Sequence, residues 1–126
     1  MAKEVVASKS APAAVGAYSQ AIVANGFVFC SGQIALDPGT NELIQGTIAD
    51  ETRRCLENLQ AVLAEAGVGF EHVVKVTAYL ADIEDFGEFN EAYALFAGSS
   101  PPARAAFAVK DLPKGARVEI ECVAAL

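Results

Sequence analysis

Residues 47–81, TIADETRRCLENLQAVLAEAGVGFEHVVKVTAYLA, hold two hydrophobic periods in one run. Ile48, Cys55, Leu56, Leu59, Val62, Leu63 and Ala66 recur at steps of three and four, which gathers them into one helical stripe. Thr47 with Asp50 three residues on, or Asp50 itself as the cap, marks the start of that helix, and Gly67 marks its stop. From Val73 to Ala81 the β-branched and aromatic residues predict a central strand. An amphipathic helix followed at once by an apolar strand predicts a helix lying on a sheet.

The flanking segments extend that pattern. A second helix is predicted from Ile83 to Ala97, with Asp82 as cap, Phe86, Phe89, Tyr93 and Phe96 on one face, and Gly98 beyond its end. Arg104–Val109 then reads as a strand, 110–115 as a turn, and Ala116–Ala124 as an alternating strand, the two strands forming a hairpin. Period two places Val118, Ile120 and Cys122 on one face and Arg117, Glu119 and Glu121 on the other. Toward the N-terminus, Lys3–Ala7 reads as an edge strand. Ser19–Ala24 and Phe27–Ser31 flank Asn25-Gly26, a pair that tolerates the positive φ of a two-residue hairpin turn. The sum is an α+β fold: a single sheet with two helices packed on one face. The other face has no cover within the chain, which predicts a closed ring of identical subunits with any active site between them.

Composition sets further bounds. A length of 126 residues predicts one domain over residues 1–126, and 53% hydrophobic residues against 20% charged predict apolar surface facing a partner. A net charge of −7 repels a phosphate backbone, and with no basic patch in the sequence no nucleic-acid partner is expected. The opening MAKEVVASKS lacks a secretion signal and no apolar run approaches the roughly 20 residues of a membrane span, so a cytoplasmic location with no membrane partner is expected. Cys30, Cys55 and Cys122 are scattered and read as buried thiols. His72 is the only histidine, so neither a His-rich metal site nor a two-histidine nuclease mechanism can be built in one chain.

Chemistry concentrates near the C-terminus. In PPARAAFAV, residues 101–109, a single cation, Arg104, sits among small apolar neighbours, and guanidinium offers a planar fork that matches a carboxylate. Taken residue by residue, Arg104 also reads as a strand-end arginine paired with Glu119 or Glu121. Tyr18 likewise reads as a loop aromatic, Asn90 as a helix-surface amide and Ser31-Gly32 as a strand terminus.

Four stretches together carry more than their parts: APAAVGAYSQ (11–20), CSGQI (30–34), PAR (102–104), and LPK (112–114) followed by EIE (119–121). In order and spacing, over essentially the whole chain, they resemble the RidA family, also called YjgF/YER057c/UK114. The resemblance implies a chorismate-mutase-like fold and a homotrimer with ligand sites at subunit interfaces. It further implies hydrolysis of 2-iminopropanoate and 2-iminobutanoate to keto acids and ammonia, without a cofactor or metal. In the family these imines and their enamine tautomers, released by pyridoxal-phosphate dehydratases, damage pyridoxal-phosphate enzymes unless removed.

By the same resemblance, Arg104 holds the substrate carboxylate and Glu119 positions or deprotonates the attacking water, while Tyr18 supplies an aromatic wall and a hydroxyl. Ser31, Gly32, Gln33 and Asn90 surround the substrate, and Ala106 offers its backbone carbonyl. Ala106 stands where the family often has cysteine, Ala17 where proline is common, and the segment 98–102 is shorter than usual. Substrate preference is the property these departures touch. Two other roles are attached to relatives, a holdase chaperone and an endoribonuclease, and charge and the single histidine count against the latter; a third reading is a non-catalytic trimer that binds small carboxylates through Arg104 as a sensor.

Overall fold

A capping box starts the first helix, α1 (Ile48–Glu65). Thr47 accepts from the Asp50 backbone N–H, and Asp50 accepts in turn from that of Thr47. Gly67, at φ 84°, ends it in the left-handed region. Leu56, Leu59, Val62 and Leu63 are fully buried along its inner stripe. The computed structural model describes residues 2–126.

Six strands form one sheet under α1 and a second helix, α2 (Phe86–Ala97): β1 (Glu4–Val6), β2 (Ala21–Ala24), β3 (Phe27–Gln33), β4 (Val73–Leu80), β5 (Ala103–Ala108) and β6 (Val118–Ala125). Their spatial order is β1-β2-β3-β6-β4-β5, antiparallel throughout except for the parallel pair β4 and β5. Asn25 and Gly26, at φ 51° and 84°, make the predicted two-residue turn between β2 and β3. Asp82 caps a 3-10 turn at Ile83–Asp85 that leads into α2, so the second helix is α-helical only from Phe86.

Two readings of the C-terminal segment are corrected. Arg104–Val109 and the last strand do not pair as a hairpin. The passage through α2 returns the chain to the same end of the sheet, which makes β5 parallel to β4, and β6 inserts between β3 and β4. β4 is thus interior but one strand from the edge, while β6, with Val118, Ile120, Cys122 and Ala124 buried beneath the helices, is central. Nor does Arg117 share a face with Glu119 and Glu121. It precedes β6 and turns to α1, where its guanidinium bonds Glu51 and the Gly46 carbonyl and its backbone N–H donates to Glu51 Oε1 at 3.2 Å. Glu51 is 2% exposed, and a carboxylate so buried requires a charged partner.

The face away from the helices is open. Val5, Ile22, Phe29, Val123, Thr77, Tyr79 and Phe107 belong to it by register, and Phe29 and Phe107 are 47% and 45% exposed. All three cysteines are buried and free, with Cys30 and Cys122 directly opposite one another. His72 closes a 3-10 turn before β4, its Nδ1 accepting from the Gly69 N–H. No helix among the described residues is long and apolar enough to cross a membrane.

Candidate active site

One extra residue in β3 shapes the site. Cys30 faces Cys122 and Gln33 faces Ile120, so three steps along β3 match two along β6, and the pairing slips at Ser31-Gly32. Glu119 of β6 lies against Gly32. A Cβ at that position would overlap Oε2 and come within 3.0 Å of Cδ, so glycine is what lets the carboxylate sit there. Gly32→Ala is expected to keep the fold, because a flexible side chain can yield, yet to displace the Glu119 carboxylate. Thermal melts and the Glu119 side-chain carboxyl shift by NMR on one preparation check both halves.

The same stretch ties down the loop before β2. Ser31 Oγ donates to the Ser19 carbonyl at 2.6 Å, and the Ser31 N–H donates to the Gln20 carbonyl at 2.9 Å. The Ser31 hydroxyl thus positions this loop. Gln20, itself buried, accepts from the Ser8 N–H at 2.5 Å and donates to the carbonyls of Ser8 and Pro12 at 3.1 and 2.8 Å. That pinning holds Tyr18, 52% exposed, at the mouth of a cavity of about 700 Å³. Ser31, Gly32, Gln33, Glu119 and Glu121 line the cavity, and Lys114 borders it from the turn before β6, its Nζ donating to the Asn41 carbonyl at 3.2 Å.

Two neighbouring carboxylates dominate the electrostatics. Burial, and then the charge of Glu121, push the Glu119 carboxyl above the ordinary range. The Tyr79 hydroxyl donates to Glu121 Oε1 at 2.5 Å, and this bond first, then burial, push the phenol up to about 12. Among the described residues no cluster of three or more His, Cys, Asp or Glu could hold a metal ion.

Arg104 is elsewhere. It pairs in register with the buried Val76, which places it on the helix-covered face at the outer edge of the sheet, opposite the face of Glu119. Its guanidinium carbon lies 4.8 Å from the Tyr93 ring centroid, 5.6 Å from Phe86 and 5.8 Å from Phe89, and Nη1 donates to Asn90 Oδ1 at 2.7 Å. The residue-by-residue pairing of Arg104 with Glu119 or Glu121 is therefore overturned. Ala106, opposite Ala78, packs against the core on the Arg104 side. The expected residues fall into two groups: Tyr18, Ser31, Gly32, Gln33 and Glu119 at the cavity, and Arg104, Asn90 and Ala106 across the sheet. One chain does not bring the groups together.

Sequence reasoning missed Gln20, Lys114 and Tyr79. The bulge had one legible signal, a glycine inside a strand pattern.

The architecture defines an α+β protein with a carboxylate-bearing cavity and a caged arginine set apart on one scaffold. Residues 8–126 match the family described as Endoribonuclease L-PSP. The chain belongs to that family, the RidA family whose motifs it carries. It is 48% identical over 124 residues to a RutC family protein of Pyrococcus abyssi, covering 98% of each chain. It is 47% identical over 122 residues to the 2-iminobutanoate/2-iminopropanoate deaminase of Rattus norvegicus, covering 97% of this chain and 89% of the rat protein. Among solved structures, E. coli TdcF with bound serine superposes with a TM-score of 0.93 at 33% identity, covering 98% of both chains.

Proposed function

We propose that this protein hydrolyses small 2-imino acids, 2-iminopropanoate and 2-iminobutanoate, to 2-keto acids and ammonia at sites shared between the subunits of a homotrimer. The mammalian relative's activity supports the reaction. The observation that carries the shared site is the placement of Arg104 and Glu119 on opposite faces of one sheet, with the apolar open face available to a second copy. Each subunit is one domain of residues 1–126. Free buried thiols suit a reducing compartment, and we place the protein in the cytoplasm.

In this reading Arg104 of one subunit, held by Asn90 and its aromatic cage, takes the substrate carboxylate and fixes the imine carbon over the cavity of the next. Water adds to that carbon, and its proton passes to Glu119. The proton then returns to the nitrogen, and as the C–N bond breaks and the carbonyl forms, the remaining hydroxyl proton passes to Glu119, so ammonia leaves with the keto acid behind. Tyr18 walls the cavity, Gly32 and Gln33 border the substrate, and Ala106 contributes backbone only. A protonated imine is already electrophilic, so two to four decades of acceleration need only about 3 to 5.5 kcal/mol. Hydrolysis of this kind calls for no cofactor.

The test generates the imine with a pyridoxal-phosphate dehydratase and traps survivors with semicarbazide. Wild type is expected to suppress the trapped adduct, and light scattering to report about three times the 13.1 kDa chain mass. Undiminished adduct overturns the enzymatic reading, and an active monomer overturns the shared site. The serine bound by TdcF favours a second reading, a non-catalytic trimer that senses small carboxylates. Serine binding without adduct suppression would select it.

A further inference from the structure

The cavity holds a second carboxylate that the proposed reaction does not use. Glu119 and Glu121 sit two residues apart on the same face of β6, about 7 Å along the strand. Tyr79 of β4 lies directly opposite Glu119, yet its hydroxyl reaches diagonally to Glu121 at 2.5 Å. Its ring is in turn held edge-on by Phe107 of β5, centroids 5.4 Å apart at 90°. Glu121 is therefore anchored, whereas Glu119 rests against the bare backbone of Gly32.

We propose that Tyr79 is a positioning residue: by holding Glu121 in place beside Glu119, it makes Glu119 the carboxylate that accepts the proton from water. This rests on the reading of Glu119 given above. Two adjacent carboxylates resist carrying two negative charges, so one takes the proton more readily, and the surroundings decide which. The Tyr79 phenol occupies the Glu121 carboxylate, and Glu119, which rests on bare backbone, is the one left to take the proton. The upward displacement of the Glu119 carboxyl, caused first by burial and then by the charge of Glu121, agrees with that division.

The other groups around Glu119 do not supply it. Lys114 borders the cavity from the turn before β6 and Tyr18 from the loop before β2; β3 contributes only Ser31, Gly32 and Gln33. Beneath the sheet, α1 presents the buried thiol of Cys55 and Glu51, the latter held by Arg117.

Tyr79→Phe removes one hydroxyl and keeps the ring against Phe107. Freed of its anchor, Glu121 can swing toward solvent and the repulsion on Glu119 falls. The Glu119 titration midpoint, read from side-chain carboxyl carbon shifts by NMR, is expected to drop by roughly half to one pH unit. Glu121→Gln should move it in the same direction. The acid limb of kcat/KM should follow in both variants. A Glu119 midpoint unmoved by Tyr79→Phe overturns the proposal, as does a shift with Tyr79→Phe that Glu121→Gln does not share. Because the NMR titration needs no turnover, midpoints that move in both variants of a protein without hydrolysis would support the anchoring while overturning the proposed reaction.

Discussion

Replacing Arg104 by alanine is expected to lower kcat/KM for imine hydrolysis roughly a hundredfold to a thousandfold, the range for losing one charged group that holds the reacting substrate. Stability should change little. The side chain is exposed, its hydrogen bond to Asn90 is a surface contact, and the rings beneath it stay packed against one another without it. Arg104→Lys should recover only part of the loss, since an ammonium cannot reproduce the guanidinium fork. Retained activity in Arg104→Ala would move the carboxylate clamp elsewhere, with Lys114 the cation that borders the cavity.

A sharper form of the experiment mixes two inactive proteins. If each site takes Arg104 from one subunit and Glu119 from another, Arg104→Ala and Glu119→Gln chains unfolded and refolded together at equal amounts should regain about one quarter of the wild-type sites, because each site draws its two contributors independently. If both residues serve a site within one chain, mixing restores nothing.

Glu119→Gln alone should reduce kcat roughly a hundredfold, the ordinary contribution of a placed general base. Its effect on stability runs the opposite way. The folded chain holds the Glu119 proton to a higher pH than the unfolded chain does, so stability falls as pH rises from the ordinary carboxylate range through the raised folded value, and it stays reduced above that window. Glutamine removes this cost. The variant is expected to melt slightly higher than wild type near neutral pH, with the difference vanishing in acid. Melts across that range check the sign, and a variant that is less stable at neutral pH would remove the electrostatic account of Glu119.

The limits of α1 were legible because their signals are local. Thr47, Asp50 and Gly67 act within one turn of α1, and Asn25-Gly26 needs only its own backbone to make a turn. The C-terminal strands were harder. Arg104–Val109 and Ala116–Ala124 read as strands, within one or two residues of β5 and β6, yet the short connection between them suggested a hairpin, and their pairing was decided by α2 and by the apolar inner face of β6. At the site, motif resemblance named Arg104, Glu119, Tyr18 and the 31–33 stretch. Tyr79 carries no motif, and its bond to Glu121 joins residues 42 positions apart.

What the sequence by itself determined is the inventory of elements, the one-sided helix cover, the net charge of −7 and the family, because periodicity, caps and motifs are written in neighbouring residues. Only the tertiary structure decided that β6 lies between β3 and β4, that one residue slips at Ser31-Gly32 so that Glu119 fits, and that Arg104 faces away from the cavity. Those are matters of register between distant strands, where a shift of one residue turns every side chain to the other face, and nothing local records which register is taken.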